Sequence, residues 1–201
     1  MKKLTFFALA ALPAALVLTQ CQQKKTDATA TPEPTETYGG YASREELGEH
    51  LVTIAGCHDC HTPKKMGANG PQMDMENALS GHPAALPIPD LNRAELESKG
   101  AAASQTMTAW IGPWGVSFSS NITSDATGIG NWTEEQFFTA LRQGKSKGIA
   151  TNRQMLPPMP YEMFAHMTDD EIRAIFAYLK STKPVNNVVP EPLPPLSAQP
   201  Q

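Results

Sequence analysis

The chain has 201 residues and a formal net charge of −4. This length is sufficient for one folded domain and short for two, so one hydrophobic core is expected. Proteins that bind nucleic acids need clustered lysine and arginine side chains to neutralise phosphates, and a net negative chain does not provide that balance. We therefore predict no nucleic-acid partner.

The first residues have the pattern of a bacterial export signal. Two lysines precede an apolar run at residues 4–18, which is shorter than the roughly 20 apolar residues of a membrane-spanning helix. The run ends in Leu-Thr-Gln-Cys, which is similar to the lipobox of bacterial lipoproteins, although a glutamine stands where a small residue is usual. We predict a signal peptide over residues 1–20, acylation of Cys21 and a lipid-anchored protein on the periplasmic side of a bacterial membrane. The alternative is an ordinary cleaved signal that leaves Cys21 as a free thiol.

Two further segments are predicted to lie outside the folded domain. Residues 21–40 are rich in Thr, Pro, Glu, Lys and Gly and cannot bury enough apolar surface to fold, so they are predicted to form a flexible tether. The other end of the chain is rich in proline, and residues 188–201 are predicted to form a tail. The folded domain is then expected at residues 41–187.

Three amphipathic helices are predicted in this domain. The first begins at the N-cap Ser43 and runs directly into Cys57, and the second begins at Thr133 and ends at Gly144. The third begins at Thr168, where the acidic residues that follow suit the positive end of the helix dipole. Their predicted apolar stripes are Leu47, Leu51 and Ile54 in the first helix, Phe137 and Leu141 in the second, and Ile172, Ile175, Phe176 and Leu179 in the third.

The residues that follow the first helix are Cys57-His58-Asp59-Cys60-His61. Covalent attachment of haem c needs two thiols that add to the porphyrin vinyl groups, and a histidine directly after the second thiol that reaches the iron. The motif therefore predicts one covalent haem c, with thioether links from Cys57 and Cys60 and with His61 as the proximal iron ligand.

Other uses of the cysteine pair are a disulfide, a redox-active dithiol and a zinc site. The dithiol leaves His61 unexplained and requires a thioredoxin-like βαβ pattern that the sequence lacks. A zinc site would need a second pair of Cys or His ligands at suitable spacing, which is missing.

The stretch at residues 62–131 is dense in Gly, Pro, Asn, Ser and Met. It has no sustained hydrophobic periodicity apart from a short helical pattern at residues 91–99. We predict an ordered loop. A loop of this length is unusual in a compact domain, but in a haem protein the macrocycle is part of the core and loops can pack on it.

Several methionines compete for the second axial position on the iron, because methionine is also a common filler of irregular cores. Met159 follows two prolines and precedes a third, and these fixed φ angles lower the entropy that is lost when its sulfur is held on a metal. We therefore predict Met159 as the distal ligand, with Met155 next. A bis-histidine iron that uses His82 or His166 is the alternative, and its reduction potential would be lower because thioether ligation raises the potential.

Six motifs of the chain carry a family resemblance. They are Cys57-His58-Asp59-Cys60-His61, Ser80-Gly81-His82-Pro83, Ser120-Asn121-Ile122-Thr123, Thr127-Gly128-Ile129-Gly130-Asn131-Trp132-Thr133, Pro157-Pro158-Met159-Pro160-Tyr161 and Leu179-Lys180-Ser181. Together they resemble the single-haem cytochromes c related to the cytochrome subunits of bacterial membrane alcohol and gluconate dehydrogenases, over most of residues 56–187. The resemblance implies an all-α cytochrome c fold, in which the N- and C-terminal helices cross around one covalent haem with long ordered loops. It also implies that the methionine of the Pro-Pro-Met-Pro-Tyr motif binds the iron.

The same resemblance implies further contacts to the haem. Asn121 and Trp132 are expected to line the haem edge and to hydrogen-bond the propionates, and Arg153 is expected to pair with one propionate. Pro71, in a Gly-Pro pair, is expected to accept the second ring N–H of His61 through its carbonyl. The alternative interpretations are a core position for Trp132 and a solvated loop charge for Arg153.

With both axial positions of the iron filled by side chains, no iron site is open to a substrate. We therefore predict a one-electron carrier without catalytic activity of its own. Its expected partners are a dehydrogenase or an oxidase at the membrane, where a lipid anchor would raise the effective concentration. The alternatives are a haem subunit fixed in a larger dehydrogenase complex, and a haem enzyme or gas sensor with a labile Met ligand.

Overall fold

The computed structural model describes residues 38–88, 92–100 and 102–198. The predicted signal peptide, Cys21 and the tether up to residue 37 lie outside the described residues. Within the described ranges the helices are α1 (Arg44–Ile54), α2 (Cys57–His61), α3 (Arg93–Lys99), α4 (Glu134–Gln143), α5 (Tyr161–Phe164) and α6 (Asp169–Ser181), and the strands are β1 (Lys64–Gly67), β2 (Gly70–Met73), β3 (Ala102–Ala103), β4 (Ala109–Gly112) and β5 (Gly115–Phe118). None of these helices combines the length and the apolar character needed to cross a membrane.

The three predicted helices are confirmed as α1, α4 and α6, and their caps explain where they begin. The hydroxyl of Ser43 accepts the backbone N–H of Glu46 at 3.1 Å, while the Glu46 carboxylate bonds to the residue before the N-cap. Thr133 and Thr168 each form a full capping box. α4 ends at Gly144, which adopts the left-handed conformation with a φ of 64°.

The core lies where α1, α4 and α6 meet. α1 packs so closely on α6 that a Cβ atom on Gly48 would lie 2.0 Å from the carbonyl oxygen of Ala174. The prediction that Ile54 belongs to the apolar stripe of α1 is wrong, because Ile54 is 65% exposed and the neighbouring Val52 is fully buried instead. The other core side chains are Leu51, Leu79, Ile129, Phe137, Leu141, Ile172, Ala174, Ile175 and Leu179.

The prediction of an all-α fold is wrong. β1 and β2 form an antiparallel hairpin, and β3, β4 and β5 form an antiparallel sheet in that order. Both sheets lie within residues 62–131, the stretch predicted to be a loop. The helical pattern predicted there is confirmed as α3.

The reason for this error is the length and the burial of the strands. Each has at most four residues, and two-residue turns close the two hairpins, with Gly70 and Gly115 at φ values of 105° and 93°. β1 and β2 are mostly exposed, whereas β4 and β5 are mostly buried. Neither case produces the apolar–polar alternation by which a half-buried strand is recognised in a sequence.

The described part of the proline-rich end, residues 188–198, is held against the sheet. Leu193 pairs with Val116 of β5 through two backbone hydrogen bonds of 2.9 and 3.0 Å. The guanidinium of Arg93 donates to the carbonyl of Pro194 at 2.9 Å. The carboxylate of Glu97 accepts the N–H of Leu196 at 2.8 Å. These bonds connect the end of the chain to β5 and to α3.

Candidate functional site

The Cys-His-Asp-Cys-His motif forms its own short helix, α2. Gly56 separates α2 from α1 because its left-handed backbone, with a φ of 68°, turns the chain between the two helices. Cys57 and Cys60 are both free and lie three positions apart, so their sulfurs share one side of the turn. This arrangement presents two thiols to a single ligand.

Burial raises the pKa of both thiols. The pKa of Cys57 rises to about 11, chiefly through desolvation, and the pKa of Cys60 also shifts upward for the same reason. A redox-active dithiol depends on a depressed thiol pKa, because the thiolate is the reactive form. The electrostatics of α2 therefore disfavour the dithiol alternative.

His61 is oriented by a backbone carbonyl. Its Nδ1 atom lies 2.8 Å from the carbonyl oxygen of Ser120, and since a carbonyl only accepts, Nδ1 carries the proton. Burial lowers the pKa of this imidazole and favours its neutral form. Nε2 then holds the lone pair, and it has no hydrogen-bond partner among the described residues. A neutral imidazole with one nitrogen held by a carbonyl is the usual form of a metal-binding histidine.

Two chain segments hold His61 and Ser120 in this relation. The N–H of Gly81 donates to the carbonyl of His61 at 2.8 Å, and the N–H of His82 donates to the carbonyl of Ser119 at 3.0 Å. The hydroxyl of Ser119 donates to the carbonyl of Cys60 at 2.5 Å. The segments around residues 80–83 and 119–123 thus form a backbone support for the second half of the attachment motif.

Gly81 is required at the centre of this support. Its φ is 77°, and a Cβ atom there would lie 2.4 Å from the carbonyl oxygen of Ser119 and 2.6 Å from that of Ser120. Only glycine allows the two backbones to approach this closely. Two of the motifs behind the family resemblance, Ser-Gly-His-Pro and Ser-Asn-Ile-Thr, therefore have a common structural task.

Pro71 does not occupy the place predicted for it. It is exposed on β2, where it pairs with Met66, and the carbonyl that meets the His61 ring belongs to Ser120. The sequence held a signal for Ser120, because this residue opens one of the six motifs. The motif did not show that Ser120 acts through its backbone carbonyl, because every residue has a backbone carbonyl.

Asn121 is buried, and its amide is committed to other parts of the chain. Its Nδ2 atom donates to the hydroxyl of Thr127 at 3.1 Å and to the carbonyl of Val185 at 2.8 Å. Its Oδ1 atom accepts the N–H and the hydroxyl of Thr123 at 3.0 and 2.8 Å. The side chain therefore fastens the loop after Ser120 to the segment after α6, and it has no free donor for a propionate.

Trp132 and Arg153 both make contacts within the protein. Trp132 is partly buried and packs against the core cluster. Arg153 is exposed on a loop, and its guanidinium donates to the carbonyl of the next residue, Gln154, at 2.9 Å. Both arrangements are compatible with a structural role that involves no haem contact.

Met159 is held near the core by its loop. Its side chain is partly buried and packs against the same hydrophobic cluster as Cys57. The hydroxyl of Ser117 donates to the carbonyl of Pro157 at 2.6 Å and accepts the indole N–H of Trp114 at 3.1 Å. β5 thereby anchors the loop that carries Met159.

The competing axial ligands are less well placed. Both ring nitrogens of His82 are engaged, with the Thr108 hydroxyl at 2.9 Å and the Leu86 carbonyl at 3.1 Å, and the residue is fully buried. His166 is exposed. Met155 is partly buried, but it does not belong to the side chains that pack on the core cluster within the described residues.

These residues fit a covalently attached haem. The donor set consists of two free thiols one helical turn apart, an imidazole whose Nε2 is free, and a thioether on the cluster that Cys57 contacts. Thiols, an imidazole and a thioether are the groups with which c-type cytochromes hold haem and its iron. The class of protein that this site defines is a c-type cytochrome.

Comparison with known proteins agrees with this class. No protein-family model matches the chain. It is 36% identical over 154 residues to the cytochrome c subunit of an alcohol dehydrogenase (quinone) from Gluconobacter oxydans strain 621H, which covers 75% of this chain and 24% of the relative. The chain is 31% identical over 163 residues to the fructose dehydrogenase cytochrome subunit of Gluconobacter japonicus, and the aligned region covers 79% of this chain and 26% of that relative. The chain is also 39% identical over 67 residues to the gluconate 2-dehydrogenase cytochrome c subunit of Pantoea cypripedii, and the aligned region covers 33% of this chain and 14% of that relative.

The chain is thus homologous to the cytochrome c subunits of bacterial alcohol, fructose and gluconate dehydrogenases, and the resemblance inferred from its motifs is confirmed. This relationship implies haem c as the prosthetic group. The chain spans about a quarter of the length of the first two relatives, so the activity and the partners of those larger proteins do not transfer to it directly.

Proposed function

We propose that this chain is a mono-haem cytochrome c that carries single electrons between redox proteins and has no catalytic activity of its own. The observation that carries the proposal is the orientation of His61 by the Ser120 carbonyl, next to two free thiols on one helical turn. When bound, the haem supplies a reversible change between ferric and ferrous iron.

Each residue of the site has a defined task in this proposal. Cys57 and Cys60 would hold the haem covalently, and His61 through Nε2 and Met159 through its sulfur would bind the iron. The Ser120 carbonyl holds the His61 ring in one tautomer and one orientation, which strengthens Nε2 as a ligand. With both of these side chains bound, water and small substrates would be kept from the iron, and the chemistry that the haem would supply is electron transfer.

We further propose that the protein is exported, acylated on Cys21 and tethered to the periplasmic side of a membrane. The domains would then be the signal peptide at residues 1–20, the tether at 21–40, the cytochrome domain at 41–187 and the proline-rich tail at 188–201. The support is the export pattern of the sequence. The partner proposed from the relatives' names is a dehydrogenase, which would donate electrons to this chain.

The ligand assignment is tested by absorption spectra of the holoprotein, produced in a bacterium that can mature c-type cytochromes. The near-infrared band of a sulfur–iron bond should be present in the wild type and in Met155→Ala, and it should vanish in Met159→Ala. Reduced Met159→Ala should also bind carbon monoxide faster than the wild type. Loss of the band in Met155→Ala alone would move the ligand to that residue, and rapid binding by the wild type would favour the gas-sensor alternative.

The haem attachment itself has a simpler test. Correctly exported protein should retain its colour after denaturation, because thioether links survive unfolding, and neither cysteine should react with a thiol reagent. Colourless protein with two titratable thiols on Cys57 and Cys60 would refute the proposed function.

The anchor and the mode of association are tested separately. Mass spectrometry of the N-terminal peptide should show acyl chains on Cys21, and a Cys21→Ala variant should leave the membrane fraction. Detergent-solubilised wild-type protein should purify free of other chains if it is a mobile carrier. Stoichiometric co-purification with a flavin or quinoprotein chain would instead identify it as a fixed subunit of a larger complex.

A further inference from the structure

Lys64 has an unusual set of hydrogen bonds for a lysine near the protein surface. It is the first residue of β1, and its side chain turns back towards α2. Its Nζ atom donates to the carbonyl of Thr62 at 2.9 Å, to that of His58 at 3.3 Å, and to that of Asp59 over a shorter distance. Two of these carbonyls lie within the haem-attachment motif, and the carbonyl of Thr62 lies directly after it.

This arrangement keeps a positive charge in place. The ammonium form of lysine has three N–H donors and can serve all three carbonyls at once, whereas the neutral amine has two. Burial lowers the pKa of Lys64 from its usual value, and the negative charge of Asp59 opposes that shift. The carbonyls at the end of a helix carry partial negative charge and stabilise a cation there. The side chain of Lys64 is only partly exposed, so water screens its charge less than that of a fully solvated lysine.

We infer that Lys64 raises the reduction potential of the haem by holding a fixed positive charge beside the attachment helix. This inference rests on the proposed function. Reduction adds one negative charge to the iron centre, and a nearby cation stabilises the reduced state relative to the oxidised state. The ammonium is bonded to the backbone of His58, Asp59 and Thr62, so it is held next to both Cys60 and His61.

The neighbouring charges do not cancel this effect. Asp59 carries the nearest opposite charge, but it is exposed, and its interaction with the haem is weakened by solvent. Lys65, the next residue in β1, points to the other face of the hairpin, where it pairs with Asp74 at 3.1 Å. Lys65 therefore provides a matched control: the same residue type, one position away, with its charge directed elsewhere.

The test compares reduction potentials of the holoproteins Lys64→Gln, Lys64→Arg and Lys65→Gln by voltammetry at low ionic strength. At a fixed electrode potential, Lys64→Gln should lower the ferrous-to-ferric ratio roughly tenfold, which corresponds to about 59 mV for a one-electron couple. In Lys64→Arg, which keeps the charge, and in Lys65→Gln, the ferrous-to-ferric ratio should stay within about twofold of the wild-type ratio. The visible spectrum and the sulfur–iron band should be the same in all variants, which shows that the ligands are intact.

Several outcomes would overturn the inference. One is an equal change of the reduction potential in Lys64→Gln and Lys65→Gln. Another is an equal change of the reduction potential in Lys64→Gln and Lys64→Arg. If Lys64→Gln fails to retain haem, Lys64→Met is the second neutral variant, and failure of both would assign Lys64 a structural role only. A wild-type protein without covalent haem would refute the proposed function, whereas haem-loaded variants with unchanged potentials would refute this inference alone.

Discussion

Replacement of Gly48 by alanine should destabilise the protein, although alanine is the better helix former. Gly48 lies in the middle of α1 and is buried against α6. A Cβ atom at this position would lie 2.0 Å from the carbonyl oxygen of Ala174, 2.6 Å from its carbonyl carbon and 2.7 Å from the Cβ of Tyr178. The obstacle is therefore mainly helix backbone, which cannot move aside as the end of a flexible side chain can.

The two opposing effects can be compared in size. Alanine gains about 1 kcal/mol over glycine in a helix interior. Ordinary contacts of a Cβ atom begin near 3.4 Å, so relief of a 2.0 Å contact requires the two helices to separate locally by more than 1 Å. Overpacking of this kind costs about 1–3 kcal/mol and occasionally more. It would also loosen the buried contacts that Leu51 and Val52 make in the core. With a cost at the upper end of this range, about 3 kcal/mol, and the helix-propensity gain of about 1 kcal/mol subtracted, we expect a net loss of about 2 kcal/mol in the free energy of unfolding.

The assay is denaturation of the holoprotein by guanidinium chloride, followed by circular dichroism. Thr53→Ala is the control, because Thr53 lies in the same helix on its exposed side and should be neutral or slightly stabilising. A Gly48→Ala protein as stable as the wild type would show that α1 and α6 are not in close contact, and the packing described here would be wrong.

Three other substitutions test the support of the site. Gly81→Ala places a methyl group 2.4 Å from the Ser119 carbonyl oxygen, at a residue whose φ is 77°. It should lower the unfolding free energy by about 3 kcal/mol. It should also reduce haem incorporation, measured as haem absorbance per amount of protein. Asn121→Ala breaks a buried amide network and should lower the free energy of unfolding by about 2–4 kcal/mol, measured by thermal or chemical denaturation. Asn131 is exposed, so Asn131→Ala should change the unfolding free energy little. Equal losses in the two variants would contradict the network. Ser117→Ala removes the bond to the Met159-bearing loop and should cost about 1–2 kcal/mol and accelerate carbon monoxide binding to the reduced protein. An unchanged rate in Ser117→Ala would show that this bond does not position the loop.

The helices were predictable because each carries a complete local signal. α6 has an N-cap threonine, three acidic residues in its first turn and an apolar stripe, all within thirteen residues. A capping hydroxyl acts on a backbone N–H three residues away, so no distant part of the chain is needed to interpret it. The error at Ile54 concerns which side of α1 is buried. That side is set by the packing of α1 against α6, which lies far away in the sequence.

The hairpins were not predictable in the same way. β1 and β2 contain lysine, glycine, proline and glutamine, and their pairing depends on a turn at residues 68–69 and on a bond from the N–H of Lys64 to the Thr106 carbonyl at 3.2 Å. A partner forty residues away leaves no periodic trace in a four-residue strand. For the same reason the side chain of Lys64 could not be connected with the attachment helix.

The proposed haem-binding residues that the sequence alone indicated are those that act through their side-chain chemistry. Two thiols and an imidazole at fixed spacing have few other uses, and a methionine among prolines is a recognisable ligand candidate. Those positions followed from residue types and short spacings along the chain.

The tertiary structure alone decided which groups surround those residues. The bond to the His61 ring comes from a backbone carbonyl, and backbone carbonyls are chemically alike, so only the approach of the segment at Ser119 and Ser120 could select one. The same holds for Asn121, whose amide was expected to face the haem and instead joins two segments more than sixty residues apart. Contacts between distant residues depend on how the whole chain packs, and that information is not contained in any short stretch of sequence.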